Sequence, residues 1–337
     1  MTETAVRVLE SFQTPRKVSN PYIVMLFEAL KQGGDVRAFS WREALIGNYN
    51  VFHVHWPEVL LSSPRRSRRI AKRGLFALLL VRLSARRVAV VRTMHNVAPH
   101  EEPSRIDNRL IARLNAITTA WIRLNPTTEV GDRSDVTTIL LGHYLDWFSE
   151  APERAAQPGR IGNFGLIRPY KGVSELVSAF RSSDSADLRL IVMGEPSTPE
   201  LRDEIRTLAA DDPRITLSLT HVDDDQLAEE IRSCSVIVLP HSNMHNSSSL
   251  LLALSLDRPA LVPTTAVTQD LQSEVGSQWV YLYDGTLTAA VLEEAARRAS
   301  EPRESHPDLS RRDWSNVAAE HFAVFRRALR TRRTTNK

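Results

Sequence analysis

Short apolar runs alternate with amphipathic stretches along most of this chain, and no other feature limits its fold as strongly. A regular alternation of strands and helices predicts a parallel, doubly wound α/β sheet. The alternation occurs in two similar halves, and 337 residues suit two such domains better than one. We therefore predict two α/β domains.

Residues 149–159 separate the two halves. This stretch lacks apolar periodicity and contains two prolines, so we interpret it as the linker between the domains. We predict a first domain over residues 1–150, a second over 151–313, and a terminal helix with a basic tail over 314–337. Strands are predicted at 6–12, 36–39, 51–55, 88–93, 118–124 and 137–140, and then at 162–167, 188–193, 215–218, 236–239, 260–263 and 279–282.

The junction at residues 163–172 has the clearest features of a ligand site. Its sequence, Asn-Phe-Gly-Leu-Ile-Arg-Pro-Tyr-Lys-Gly, ends an apolar run, places Arg168 and Lys171 in one turn and leads into a helix from Val173. A helix N-terminus offers unpaired N–H groups and a positive dipole end to an anion, so phosphate or diphosphate is the expected guest. The spacing fits neither a P-loop nor a dinucleotide-binding fingerprint. From spacing alone, an ordinary turn with solvated cations is an equally good interpretation.

The same motif resembles the start of the donor-binding domain of GT-B-fold, nucleotide-sugar-dependent glycosyltransferases, in particular bacterial exopolysaccharide and glycolipid mannosyltransferases. The resemblance covers most of the chain. It implies two Rossmann-like domains facing a cleft, with a terminal helix that can cross back to the first domain. It also implies that Lys171 binds the donor diphosphate. The family's Arg, five residues before this Lys, is replaced here by Leu166, and Arg168 is the available substitute.

A second polar loop, at residues 241–249, follows an apolar run and opens an apolar helix. Serine hydroxyls and helix-start N–H groups can hold phosphate, and three consecutive serines exceed the need for one helix cap. The two glutamates that family members place here are replaced by His245 and Leu252. We expect the diphosphate to contact Gly165, Arg168, Lys171, Ser247, Ser248 and Ser249, and the sugar and nucleotide to contact Glu195, His245 and Asn246.

Several histidines and carboxylates follow predicted strands of the first half. Ligands of open α/β sheets bind at the carboxyl ends of the strands, so we expect these residues to lie in a site. Residues 94–101 also resemble a motif of the glycolipid-directed members of the family. A single histidine at such a position is more often structural. Several of these residues at successive strand ends indicate a site. We therefore predict His95, Glu102 and Glu58 as candidate catalytic bases, and His55, Trp56, His100 and His143 as acceptor contacts.

Residues 65–87 predict a helix with cationic ends and an apolar middle, a composition that suits an anionic membrane surface. No acidic residue lies between Glu58 and Glu101, and a core helix with a solvated basic face is the simpler alternative. Nucleic acid is not expected as a partner, because the segment lacks interleaved aromatic residues and a nucleic-acid motif. The basic residues from 59 to 100 are Arg65, Arg66, Arg68, Arg69, Lys72, Arg73, Arg82, Arg86, Arg87 and Arg92.

No metal or cofactor is expected. Residues 223–225 are three aspartates, which we interpret as the N-terminus of a helix rather than a metal site, and GT-B enzymes generally need no metal on the donor phosphates. Cys234 is the only cysteine, which excludes a disulfide framework. With no signal peptide or long apolar run in the sequence, we expect a cytoplasmic protein, peripheral on the inner face of the membrane.

The predicted activity is transfer of a hexosyl group from a nucleoside-diphosphate sugar to an acceptor hydroxyl. By resemblance, the first choice of donor is GDP-mannose, and the acceptor is a lipid-linked glycan of exopolysaccharide or cell-envelope synthesis. The missing glutamates favour one alternative, a non-catalytic sugar- or nucleotide-binding protein on a GT-B scaffold. A two-domain epimerase on the same fold is a further alternative. The linkage and the stereochemical outcome stay open at this point.

Overall fold

A computed structural model describes residues 5–15, 20–95, 104–241 and 248–334. The chain divides into two compact units. The first is Met1–Gly142 together with Arg311–Lys337, and the second is His143–Ser310. Each contains a six-stranded sheet in which all described strand pairs are parallel.

The first unit has the strand order β2-β1-β3-β4-β5-β6. Its strands are β1 (Arg7–Glu10), β2 (Asp35–Arg37), β3 (Val51–Val54), β4 (Ala89–Met94), β5 (Thr118–Arg123) and β6 (Val136–Thr138). Its helices are α1 (Pro21–Gly33), α2 (Trp41–Ile46), α3 (Pro57–Leu61), α4 (Arg66–Ala85), α5 (Arg105–Ile117) and the terminal helix, which is α12 (Trp314–Thr334).

The second unit has the strand order β12-β11-β10-β7-β8-β9. Its strands are β7 (Arg160–Phe164), β8 (Arg189–Met193), β9 (Ile215–Ser218), β10 (Val236–Val238), β11 (Ala260–Pro263) and β12 (Val280–Tyr283). Its helices are α6 (Val173–Arg181), α7 (Pro199–Ala209), α8 (Asp224–Ser233), α9 (Ser248–Ser255), α10 (Ala266–Val275) and α11 (Ala289–Ala299).

The direction in which the chain winds reverses once in each sheet. In the first unit the connections after β1 and β3 run to opposite sides, and in the second unit those after β7 and β10 do so. The reversal leaves a crevice at the carboxyl ends of the two adjacent strands, where open α/β sheets bind ligands. Topology alone therefore gives each unit one preferred place for a site.

The terminal helix α12 belongs to the first unit, as the GT-B resemblance implied. It packs on α1 and on β4 and β5. The contact with α1 depends on small residues, because a Cβ on Gly33 would lie 2.5 Å from Cε2 of Phe322. Phe325, on the next turn, is completely buried. The first and last segments of the chain thus share one core.

The predicted strands all occur, with ends shifted by up to three residues, and the α/β GT-B fold class is confirmed. The aspartates at 223–225 do begin a helix, since Asp223 caps α8 by accepting from Gln226 N. Three helices were not predicted: α2 and α3, which are short, and α10. The α10 helix starts with a capping box that uses Thr265 and Thr268 instead of the usual glutamate. No helix among the described residues is both long and apolar enough to cross a membrane.

We predict that Gly33→Ala lowers the free energy of unfolding by about 1–3 kcal/mol, because the added methyl overpacks the ring of Phe322. Gly74→Ala is the matched control: it lies in α4 with nothing within 4 Å of the added Cβ, and should stabilise the protein by about 0.5–1 kcal/mol. Urea unfolding followed by circular dichroism measures both. Equal effects of the two substitutions would contradict this account of the α1–α12 contact.

Candidate active site

A buried carboxylate lies at the switch point of the first unit. Glu10 is the last residue of β1, has no exposed surface, and is in register with His53 of β3. Burying an ionisable group this deeply is costly unless it is hydrogen-bonded, so its partners are the first thing to identify. The partners are histidines from neighbouring strand ends.

Glu10 is hydrogen-bonded to two imidazole rings, and a continuous series of hydrogen bonds begins there. Its Oε1 lies 3.0 Å from His53 Nδ1 and its Oε2 lies 3.2 Å from His55 Nε2. The other nitrogen of His55, Nδ1, lies 2.8 Å from His95 Nε2. The other nitrogen of His53, Nε2, lies 2.8 Å from the hydroxyl of Thr93. Three strand ends, those of β1, β3 and β4, thus meet in one polar network.

Aromatic rings surround this network. Trp56 stacks on His95 with ring centroids 4.0 Å apart and planes 25° apart, and Tyr22 approaches the same imidazole edge-on at 5.4 Å. From α12, the buried His321 lies with its ring centroid 5.4 Å from that of His53. The rings exclude water from the network, and this strengthens the hydrogen bonds inside it.

Burial determines the protonation of these groups. It raises the pKa of Glu10, although the hydrogen bond and charge of His55 act in the opposite direction. It lowers the pKa of His53 and of His321 to about 3, and that of His55 well below its usual value. For His95, burial together with the nearby His53 and His321 lowers the pKa to about 3. The imidazoles are therefore neutral at physiological pH.

Glu10, His53 and His55 also have the composition of a metal site, with ligand atoms that all lie within 4.8 Å of one another. In the structure these atoms form nitrogen–oxygen pairs at hydrogen-bond distances, and both nitrogens of each imidazole are paired. A bound cation would have to displace those protons. We therefore describe the cluster as a hydrogen-bonded network, and the absence of a metal stays a prediction.

A cavity of about 1010 Å³ lies in the first unit beside the network. Trp56, which stacks on His95, is part of its wall, and so is Ser11, whose hydroxyl accepts from the backbone N–H of His55 at 2.9 Å. Aromatic side chains with a few polar groups are typical of sugar-binding surfaces, since rings cover the apolar faces of a sugar. The aromatic residues of the wall are Phe12, Phe39, Trp41 and Trp56.

In the second unit, three predicted donor residues come together after β7. Gly165 has φ +101°, and a Cβ there would lie 3.4 Å from Lys171 Nζ and 3.8 Å from Ser249 Oγ. The ammonium group of Lys171 and the hydroxyl group of Ser249 therefore lie over bare backbone, which any larger residue at position 165 would cover. The loop after β8 also passes close by, because a Cβ on Gly194 would lie 2.1 Å from Gly165 O. Bare backbone, a hydroxyl group and an ammonium group thus form a cradle whose polarity suits a phosphate.

The cradle is positively charged. Burial, together with the nearby charge of Arg168, lowers the pKa of Lys171. Among the described residues neither cation forms an ion pair. His241, at the end of β10, is buried, and its pKa is lowered to about 4 by burial and by Lys171. Its Nε2 has no hydrogen-bond partner among the described residues. Such a group of donors is suited to an anion.

The remaining predicted residues are placed as follows. Glu58 lies partly exposed in the first turn of α3, Glu195 is exposed after β8, and Ser248 is exposed at the start of α9. His143 is buried in the second unit. The roles of all the predicted site residues stay predictions. His100, Glu102, His245, Asn246 and Ser247 lie outside the described residues.

Sequence reasoning missed four residues of these two groups: Glu10, His53, His321 and His241. A signal existed for Glu10, because a glutamate inside an otherwise apolar strand needs a buried partner. His53 was treated only as part of a strand. His321 lies in α12, far along the chain, and only the three-dimensional packing shows that it adjoins His53.

We predict that acid destabilises the protein below about pH 6.5. Between that value and their folded-state pKa values near 3, His53, His95 and His321 bind fewer protons in the folded than in the unfolded protein. Each of these histidines can lower the free energy of unfolding by about 1.4 kcal/mol per pH unit, and the raised pKa of Glu10 offsets part of this loss. Urea unfolding between pH 7.5 and 5 measures the slope.

The variant His321→Phe should reduce that slope, because it removes one buried imidazole. His221→Ala, a change at an exposed histidine, should leave the slope as it is in the unchanged protein. A stability that does not vary between pH 7 and 5 would show that these histidines are not neutral in the folded state.

No family model matches the chain. Two curated sequences from Xanthomonas campestris pv. campestris, each named GDP-mannose:glycolipid 4-β-D-mannosyltransferase, are 43% identical to it over 328 residues, which is 96% of this chain and 93% of theirs.

Solved structures show the same fold at low sequence identity. Anabaena Alr3699/HepE in complex with UDP has a TM-score of 0.58 at 13% identity, covering 95% of this chain and 96% of its own. AviGT4, a glycosyltransferase involved in avilamycin A biosynthesis, has a TM-score of 0.60 at 14% identity, covering 97% and 98%. The catalytic domain of starch synthase IV from Arabidopsis thaliana has a TM-score of 0.66 at 10% identity, covering 97% and 100%. The chain is a GT-B glycosyltransferase and belongs to the family of the GDP-mannose:glycolipid 4-β-D-mannosyltransferases.

Proposed function

We propose that this protein transfers a mannosyl group from GDP-mannose to a hydroxyl group of a glycolipid. The proposal depends above all on the 43% identity to enzymes named for that reaction, which extends over 96% of the chain. The two groups of site residues support it, since one suits a diphosphate and the other a sugar. A glycolipid acceptor fits a lipid-linked stage of exopolysaccharide or cell-envelope glycan synthesis.

The donor side is supported by the cradle at Gly165. Lys171 is a partly buried cation, and burial of an uncompensated charge is unfavourable until an anion binds. The diphosphate of GDP-mannose supplies that anion. During transfer the bond from the sugar to the diphosphate breaks and negative charge grows on the leaving group, so a fixed cation there stabilises the transition state more than the ground state.

The acceptor side is supported by the cavity of the first unit. Its aromatic wall suits a sugar ring, and Trp56 connects it to His95. The mannosyl group of GDP-mannose is α-linked, and the relatives are named for a β linkage. Transfer with that outcome inverts the anomeric carbon in one displacement and needs a base for the acceptor hydroxyl. Of the three candidate bases, His95 lies beside the cavity wall, Glu58 lies in α3, and Glu102 lies outside the described residues.

We predict that Lys171→Ala lowers kcat for mannosyl transfer at least about 100-fold, since losing one charge-stabilising group at a leaving oxyanion costs about 3 kcal/mol or more. The assay follows radiolabelled mannose from GDP-mannose into a glycolipid fraction. Arg206→Ala is the matched control, because it removes one positive charge from an exposed helix position of the same unit and should leave kcat unchanged.

Two results would count against this proposal. Normal kcat in folded Lys171→Ala protein would remove the donor-site assignment. Thermal stabilisation by GDP-mannose without any transfer to a panel of glycolipids would instead favour the non-catalytic binding protein, because ligand binding alone raises stability.

We also propose that α4 holds the protein on an anionic membrane surface. One side of α4 is part of the core, with Phe76, Leu79 and Leu83 buried. The opposite side exposes Ile70, Leu78 and Val81 with 60%, 54% and 64% of their surface accessible. An exposed apolar stripe beside cations is typical of helices that lie in a membrane interface.

The cations of residues 65–87 fall into two groups. Some are fixed internally: Arg73 binds Asp107 at 2.7 Å, and Arg82 donates to Leu45 O at 2.7 Å. At the start of the helix the arginines are exposed and form no side-chain hydrogen bond or ion pair within the part of the chain that the structure describes. These are Arg65, Arg66, Arg68 and Arg69. The group of cations that is available to attract an anionic membrane is therefore smaller than the sequence suggested. A peripheral position on the cytoplasmic face of the membrane follows from this proposal.

We predict that changing Arg65, Arg66, Arg68 and Arg69 to Ser releases the protein from anionic vesicles. Each contributes about 1 kcal/mol near such a surface, so partitioning should fall by up to about a thousandfold. Changing Arg154, Arg189, Arg202 and Arg206 of the second unit to Ser removes the same charge and should have little effect. Sedimentation with phosphatidylglycerol vesicles, at low and high salt, measures both. Salt-insensitive partitioning, or equal losses in the two variants, would leave α4 as a core helix with a solvated basic face.

A further inference from the structure

We propose that Glu10 and His55 are positioning residues that fix the tautomer of His95, so that His95 Nδ1 receives the proton of the acceptor hydroxyl. This inference rests on the proposed function, because it concerns the base of that reaction. It assigns a role to a completely buried carboxylate that donor and acceptor binding leave unexplained.

The direction of the hydrogen bonds from Glu10 through His55 to His95 follows from the carboxylate at one end. An ionised Glu10 only accepts hydrogen bonds, so His55 must donate to it through Nε2. A neutral imidazole carries one N–H, and Nδ1 of His55 is therefore an acceptor. His95 must then donate to it through Nε2, and this makes Nδ1 of His95 the nitrogen with the basic lone pair.

The second acceptor oxygen of Glu10 is consistent with the same charge state. His53 Nδ1 donates to Oε1 at 3.0 Å, and His53 Nε2 then accepts from the hydroxyl of Thr93 at 2.8 Å. An ionised carboxylate thus satisfies these hydrogen bonds of the described residues with one consistent set of protons. A protonated Glu10 would reverse at least one branch.

The chemical step balances within this arrangement. The acceptor oxygen forms a bond to the anomeric carbon, and its proton moves to Nδ1 of His95. The bond from that carbon to the diphosphate oxygen breaks, and its electron pair leaves with the diphosphate. The resulting imidazolium of His95 keeps its Nε2–H bond to His55, and the negative charge of Glu10 at the end of the chain stabilises it.

The surroundings of His95 suit this role. Trp56 stacks on the imidazole and is itself part of the wall of the proposed acceptor cavity, so the base adjoins the substrate. Among the described residues, the titratable groups that face this hydrogen-bonded series are Glu10 from β1, His53 from β3, Tyr22 from α1 and His321 from α12. Protonation of Glu10 removes the negative charge that stabilises the imidazolium of His95.

The first test is the Glu10→Gln variant. Its amide carries no negative charge to stabilise the imidazolium of His95, so kcat should fall at least about 100-fold, while KM for GDP-mannose stays unchanged. In the unchanged protein, kcat should fall as the pH drops through the pKa of Glu10, and this acidic limb should be absent from the variant. His221→Ala is the control: it removes an exposed histidine of the second unit and should keep both kcat and the acidic limb.

The second test needs no activity and so separates this inference from the proposed function. In ¹⁵N-histidine NMR spectra of the unchanged protein at pH 7.5, His95 and His55 should both appear as Nε2–H tautomers, and Glu10→Gln should change the tautomer of the histidine, His53 or His55, that its amide N–H group faces. An Nδ1–H tautomer of His95, or Glu10→Gln with normal kcat, would overturn the proposal. So would a rate that chelation abolishes and a divalent cation restores, since this would assign Glu10, His53 and His55 to a metal.

Discussion

The organisation of the first unit depends on how one carboxylate is satisfied after it has been removed from water. Glu10 is tolerated at the end of β1 because His53 of β3 and His55, just after that strand, are hydrogen-bonded to it. Those imidazoles are in turn neutral because aromatic rings and α12 enclose them. Packing and protonation therefore determine each other here. A hydrophobic residue would be easier to bury, so an ionisable residue at this position is best explained by the chemistry of the site.

The two units use the same topology to bring together two chemically different groups of side chains. Each sheet reverses its winding once, and each places unusual side chains at that reversal. In the second unit these are a lysine and bare glycine backbone, suited to an anion. In the first they are neutral histidines beside an aromatic cavity, suited to a hydroxyl group and a sugar ring.

Local sequence patterns predicted the fold well, because alternating strands and helices in a parallel sheet have few alternative arrangements. The turn at Lys171 was predictable because all its residues are close in sequence. The histidine network was only half predicted. His55 and His95 follow predicted strands, but Glu10 and His321 are separated by most of the chain, and no local pattern joins them. The missed helix α10 has a polar sequence with a weak period, and its cap uses threonines.

The return of α12 to the first unit also has a consequence for biosynthesis. The second unit is one continuous segment, so all its strands and helices have been translated before α12 emerges from the ribosome. The first unit, although its strands are made earlier, has no Phe325 to close its core until the whole second unit has been translated. During synthesis the amino-terminal half must therefore wait with an open apolar face, and a chain stopped before residue 314 would expose that face to chaperones and proteases.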